Sequence, residues 1–197
     1  MSQKTLDVLL LTMQKALGMF EKYFQLKAKR LGYDNGLPWY ELYAPVVESQ
    51  TSYPYEVGCE FVVKQFSTFS QHLGDYAKKA MENNWIDVDP RAGKVGGAFC
   101  HNLHCLKESR FLLNYGNEFG DVITMAHELG HGFHGECLNS QTALNADYPM
   151  PIAETASTFC ETIVKKAALK NASSTEKLMI LENELCDCAQ VNVDIYS

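Results

Sequence analysis

Apolar residues recur at intervals of three and four through most of the chain, a spacing that places them along one face of an α-helix. Over residues 3–30 the repeat is Leu6, Leu9, Leu10, Met13, Leu17, Phe20 and Phe24, ending in a basic turn and Gly32. It predicts an amphipathic helix packed on a core. Asp34-Asn35-Gly36-Leu37-Pro38-Trp39 is turn chemistry, and the aromatic stretch through Tyr40 and Tyr43 to Val46 reads as a connection or short strand leading to Pro54. From Glu56 to about Asn84, Val57, Phe61, Val62, Phe66, Phe69, Leu73, Tyr76, Ala77, Ala80 and Met81 predict one long buried helix.

Residues 85–117 lose the helical period. Gly, Pro and turn formers dominate residues 85–90 and 93–97, whereas Ala98-Phe99-Cys100 and Phe111-Leu112-Leu113-Asn114-Tyr115 have strand composition. Two antiparallel strands joined by residues 102–109 are expected. A further helix begins near residues 119–121, with the Asp121 carboxylate at its positive end, and runs to about Leu138. After a polar loop over residues 139–149, Pro151 marks another helix start. Residues 173–176 read as an N-cap region for a last helix carrying Leu178, Leu181, Leu185 and Val191 towards Ser197. The class is mainly α, with a small antiparallel β hairpin or sheet.

Composition narrows the setting. The 197 residues are 46% apolar and 11% aromatic, which suits a single globular domain over residues 1–197 with a sizeable core. The net charge is −7 and no basic cluster exceeds Lys27-Ala28-Lys29-Arg30, which argues against nucleic-acid and membrane-surface partners. Lys4, Asp7, Gln14 and Lys15 interrupt the N-terminal apolar pattern, so neither a signal peptide nor a membrane span is expected, and the reading is cytoplasmic. Seven cysteines, an odd number spread along apparent helices, read as reduced thiols.

The candidate chemistry lies in His127-Glu128-Leu129-Gly130-His131. Residues four apart project from one face of a helix, so the imidazoles of His127 and His131 can reach one Zn2+ while Glu128 sits beside an open coordination position. Val122, Ile123, Met125, Ala126 and Leu129 make the surroundings apolar, as expected of a site held against a core. His134 is a rival third ligand. However, His127 to His134 spans about 10.5 Å along the helix at 1.5 Å per residue, too far for three side chains of one straight helix to close comfortably on one ion. The longer motif of another zinc peptidase class also fails, since its Gly position holds His134 and its final His position holds Cys137. The third ligand comes from elsewhere. In the helix after Pro151, Glu154, Ser157 and Glu161 share a polar stripe while Ile152, Ala156, Phe159 and Ile163 face the other way. That stripe can face the zinc helix.

Two other features have competing readings. Gly96 and Gly97 precede a strand, where they suit either a bulge at a sheet edge or the close approach of an extended peptide. Cys100-His101-x-x-His104-Cys105 resembles a second metal cluster. Neighbouring strand side chains point to opposite faces, however, so these read as surface or groove residues.

Gly96-Gly97-Ala98-Phe99-Cys100, Leu112-Leu113-Asn114-Tyr115, the stretch from His127 to His134, Ala146-Asp147-Tyr148-Pro149 and Ala153-Glu154-Thr155-Ala156-Ser157-Thr158-Phe159, in this order, resemble the oligoendopeptidase F branch of the thimet-oligopeptidase-like zinc peptidases. The resemblance covers most of the chain. It implies a helical zincin-type catalytic domain that hydrolyses short peptides, with the hairpin beside the zinc helix. It also implies His127, His131 and Glu154 as Zn2+ ligands and Glu128 as general base. It implies Glu161 as an outer partner of the ligands; His134, too far along the helix to ligate, and Asp147 are read as outer residues as well, and Gly96, Gly97, Ala98 and Phe99 as substrate-binding residues. An outer carboxylate fixes the tautomer and direction of a ligand histidine.

One departure from that family is large. Its members are several hundred residues long, with an N-terminal helical wall and a later His and Tyr segment that stabilises the tetrahedral intermediate. Val193-Asp194-Ile195-Tyr196-Ser197 reads as the interior of a helix without a stop signal, which predicts a domain truncated at both ends. An uncovered apolar face there predicts self-association or a partner chain. The alternatives are a catalytically incomplete zinc-binding fragment or partner-binding helical module, and a plain helical domain with an accidental motif.

Overall fold

The computed structural model describes residues 2–47 and 51–193. Its helices are α1 (Gln3–Arg30), α2 (Tyr55–Phe69), α3 (Gln71–Glu82), α4 (Phe119–Leu138), α5 (Met150–Ala153), α6 (Thr155–Asn171) and α7 (Ser174–Val193). Its strands are β1 (Ile86–Asp87), β2 (Phe99–Leu103) and β3 (Glu108–Leu112). The chain divides into two compact units: residues 51–171, and residues 1–50 together with 172–197. Among the described residues, no helix is long and apolar enough to cross a membrane.

The unit of residues 51–171 is built around α4. Val122, Met125, Ala126 and Leu129 of that helix are fully enclosed. Around them lie Val62 and Phe66 of α2, Leu73, Ala77 and Ala80 of α3, Phe111 of β3 and Val164 of α6. Each Val, Leu, Met and Phe side chain among them contributes about 1.5–3 kcal/mol by leaving water. The closest packing is between α4 and α6, and Gly130 makes it so. A Cβ there would lie 2.7 Å from the Ala156 carbonyl oxygen and 2.7 Å from the Ser157 Cα, both of which are backbone.

The predicted helix over residues 56–84 is two helices. Ser70 is extended, at φ −151° and ψ 128°, and separates α2 from α3. Gly74 lets α3 fold back, since a Cβ there would lie 2.1 Å from the Ser67 Oγ. Both helices bury their faces in the same core, so the apolar period runs through the corner and does not reveal it.

The sheet has the order β1-β3-β2, with β1 parallel and β2 antiparallel to β3. The predicted hairpin is present but its strands reach further, so residues 104–107 alone make the turn. Asn102 pairs with Ser109 and Leu103 with Glu108. Backbone hydrogen bonds carry this pairing, and the polar side chains of Asn102, Ser109 and Glu108 give it no alternating apolar signature. Strand β1 is too short to show a period.

In the other unit, α1 and α7 pack together. Ser2 caps α1 by accepting from the Thr5 N–H at 3.2 Å. The Lys27 Nζ donates to the Glu182 Oε1 at 2.7 Å, with both side chains buried, and the Tyr23 hydroxyl donates to the same oxygen at 2.7 Å. Burial first, and then Glu182, hold the Tyr23 phenol far above its ordinary range, so it remains a donor. Residues 39–46, read as a connection or short strand, contain a 3-10 turn at Trp39–Glu41.

The predicted core stripes of these two helices are corrected. Phe20 and Ala28 of α1 are buried, whereas Leu6, Leu9 and Leu10 are exposed. On α7, Ile180, Cys186 and Ala189 are buried and Leu178, Leu181, Leu185 and Val191 are exposed. The buried face follows the Lys27–Glu182 pair and small side chains that allow close approach, not the leucine repeat. The expected helix interior over residues 194–197, including Ile195, lies outside the described residues.

Candidate metal centre

Helix α4 opens with a reciprocal cap. Glu118 accepts from the backbone of Asp121, and Asp121 Oδ2 accepts from the N–H groups of Glu118 at 2.8 Å and Gly116 at 2.9 Å. Two turns further on, His127 and His131 share a face, and their Nε2 atoms are 3.1 Å apart. One Glu154 carboxylate oxygen lies 3.2 Å from each of them. Among the described residues these three form the one group of His, Cys, Asp and Glu side chains placed to hold a metal ion.

Glu154 is not inside a helix that starts at Pro151, as its periodicity suggested. It lies at the break between α5 and α6, at φ −85° and ψ 0°. The Ser157 hydroxyl faces both the Glu154 carbonyl oxygen, at 3.0 Å, and its carboxylate, at 2.7 Å. A local hydroxyl that captures a backbone carbonyl competes with regular helix bonding and fixes the carboxylate at the break.

Donor types and spacing both fit zinc. Ligands about 2.0–2.1 Å from a tetrahedral ion stand about 3.3 Å from one another, close to the edges of this triangle. His127 Nδ1 is 2.5 Å from the Glu161 Oε1, which leaves Nε2 free to ligate. Lys165 donates to the other Glu161 oxygen at 2.7 Å. It lies four residues after Glu161, the spacing at which charges on one helix face meet.

Protonation follows from these contacts. Burial works against the His127 imidazolium, but the Glu161 carboxylate, helped by Glu128 and Glu154, outweighs it and raises the pKa. Burial also pushes Glu161 up, yet His127 and Lys165 bring it below its ordinary value. His131 is lowered, chiefly by burial, with Glu154 opposing and His127 reinforcing the shift. Glu128 is 6% exposed, and its Oε2 has no hydrogen-bond partner among the described residues. Burial, opposed by His127 and aided by Glu154, pushes it up to about 7.

His127, Glu128, His131 and Glu154 border an open cavity of about 370 Å³, lined also by Ala98, Phe99, Cys100 and Asn102 at β2, and by Tyr148. Gly96 and Gly97 lie outside that lining. Gly97 takes a φ of +79°, and its carbonyl oxygen accepts from the Asn114 Nδ2 at 2.9 Å. His134 stands outside the triangle, with its ring stacked on Tyr148 at 4.1 Å. The Asp147 Oδ1 accepts from the Tyr148 N–H at 3.0 Å. Asn102 escapes the sequence reading, and Tyr148, though part of the Ala146-Asp147-Tyr148-Pro149 motif, gains no role in the site from it, because a lone Asn in a strand and a Tyr in a loop have no period. His104 faces the Gln141 carbonyl at 3.1 Å.

Residues 1–192 match the family model described as Peptidase family M3. An oligoendopeptidase F homolog of Lactococcus lactis subsp. lactis is 30% identical over 94% of this chain and 31% of its own length. Oligopeptidase PepF of Bacillus subtilis is 26% identical over 94% of this chain and 28% of its own. A solved structure from Chlamydophila abortus, provisionally described as a peptidase, superposes with a TM-score of 0.78 at 25% identity, covering 97% of this chain and 32% of that one. The chain thus spans about a third of the length of the relatives it matches.

Proposed function

This chain belongs to peptidase family M3, and from that membership we propose that it carries the catalytic centre of a zinc-dependent endopeptidase acting on short peptides. The observation behind the reading is the triangle of His127, His131 and Glu154, 3.1–3.2 Å on each side, with the buried Glu128 one residue from the first ligand. The relatives' designation as oligopeptidases supports short peptides as the substrate class.

Zinc held by these three residues would supply a Lewis acid that makes water acidic and polarises the scissile carbonyl. Glu128 takes the proton from the attacking water and delivers it to the leaving amine. Its burial keeps bulk water from competing for that proton. Glu161 holds the His127 ring in one tautomer and direction. Strand β2, at the sheet edge, offers backbone groups along which an extended peptide can lie.

The chain is expected to bind about one zinc per molecule by elemental analysis. Less than a tenth of an equivalent after reconstitution, with His127→Ala indistinguishable from the parent, would sink the reading. Hydrolysis of quenched fluorescent peptides by residues 1–197 alone is expected to be weak. Glu128 and the ligand set are its identifiable catalytic groups, and lacking one oxyanion donor typically costs about 10²–10³ in rate. Robust hydrolysis that disappears in Glu128→Gln would show the chain to be a complete peptidase.

A further inference from the structure

A hydrogen-bonded chain that the chemistry above does not use ends on the zinc helix. The buried Tyr76 hydroxyl of α3 lies 2.8 Å from the Ser109 Oγ of β3. The Ser109 hydroxyl donates at 2.8 Å to the Asn102 Oδ1, directly across the hairpin in register. Asn102 then donates through Nδ2, at 3.1 Å, to the backbone carbonyl of His131. Each side chain is satisfied, and the single direction of the chain fixes which way the Asn102 amide points.

The helix is cut to receive this chain. A Cβ on Gly135 would lie 2.4–2.7 Å from the Asn102 Cγ, Oδ1 and Nδ2, and one on Gly132 would lie 2.3 Å from the Tyr76 hydroxyl oxygen. Glycine at both positions lets β2 and α3 approach α4 more closely than an ordinary residue allows. Asn102 therefore joins the turn bearing a candidate metal ligand to an edge strand that lines the same cavity.

We propose that Asn102 is a positioning residue that locks the peptide-binding edge of β2 at a fixed distance and register from the metal, so that a peptide engages both at once. This rests on reading the site as a metallopeptidase centre. Two of the three ligands are held by other means, His127 by Glu161 and Glu154 by Ser157, and Asn102 meets His131 only at its backbone carbonyl. Loosening Asn102 therefore separates strand recognition from metal binding. Asn102→Asp keeps the shape and the acceptor for Ser109 but sets a carboxylate oxygen against the His131 carbonyl. Gly135→Ala keeps Asn102 and pushes its amide aside.

The test uses two probes on the zinc-loaded chain: acetohydroxamate, which reports the metal alone, and an N-acyl tripeptide hydroxamate, which needs metal and strand together. In the parent the peptide probe is expected to bind more tightly than acetohydroxamate. In either variant that advantage should fall about 10–100-fold, the scale of a small misplacement in a bound geometry. Zinc and acetohydroxamate affinities should change less than about threefold. An unchanged advantage in both variants overturns the proposal. So does a parallel loss of zinc affinity, which would make Asn102 a structural support of His131, and so does a parent that shows no preference for the peptide probe. Failure of the parent to bind zinc is a separate result that removes the metallopeptidase reading itself. Should Asn102→Asp not fold, Gly135→Ala decides alone.

Discussion

Glu154 and Glu161 are both carboxylates on one stripe of sequence, yet their surroundings give them different work. Glu154 reaches the Nε2 atoms of two imidazoles, whereas Glu161 reaches only the Nδ1 of His127 and divides its charge with Lys165. Removing a ligand deletes a bond to the ion, while removing an outer partner only frees a ring to turn. Glu154→Ala is therefore expected to abolish tight zinc binding and Glu161→Ala to weaken it by about 10–100-fold, measured by competition with a chromophoric chelator. The reverse order of effects would exchange the two assignments. Glu161→Gln keeps an acceptor for the His127 Nδ1–H and should lie between the parent and Glu161→Ala.

Helix α4 has to meet backbone closely on one side and can tolerate a side chain on another. Gly130 faces the α6 backbone at distances no Cβ adopts, so Gly130→Ala must force the two helices apart. Overpacking of this kind costs about 1–3 kcal/mol and outweighs the roughly 1 kcal/mol gain in helix propensity. At Gly120, in the first turn of the same helix, nothing lies within 4 Å of a Cβ. Gly120→Ala should then stabilise by about 0.4–1 kcal/mol through the unfolded state. Urea denaturation of the two variants checks the contrast, and equal effects in the same direction would remove the close-contact account.

Over the whole molecule, apolar surface is spread unevenly. The unit of residues 51–171 encloses Val62, Phe66, Leu73, Val122, Met125, Leu129 and Val164 almost completely. In the unit of α1 and α7, by contrast, Leu6, Leu9, Leu10, Leu11, Leu178, Leu181, Leu185 and Val191 remain exposed. Contiguous exposed aliphatic faces favour association. Residues 1–197 are thus expected to self-associate, seen by sedimentation velocity as a concentration-dependent rise in mass. Leu9→Glu with Leu181→Glu should reduce it without loss of zinc. A monomer at all concentrations would refute the expectation.

What the sequence determined by itself is local. The amphipathic runs gave helices, and the turn formers and strand residues near 85–117 gave a hairpin, because both depend on neighbours a few residues apart. His127, Glu128 and His131 were legible for the same reason, since one helical turn brings the two imidazoles onto one face wherever the helix lies. Distant parts of the chain decided the rest. That Glu154, and not Glu161, meets both Nε2 atoms depends on a helix break and on how α6 crosses α4 at Gly130. The corner at Ser70 left the apolar period intact. The leucine stripes of α1 and α7 named a face of each helix, but which face is buried depends on what packs there, and no periodicity contains that. Asn102 stayed invisible for the same reason: Ser109 and His131, which it bonds, lie 7 and 29 residues away, Tyr76 reaches it only through Ser109, and all of them meet only when the sheet closes on α4.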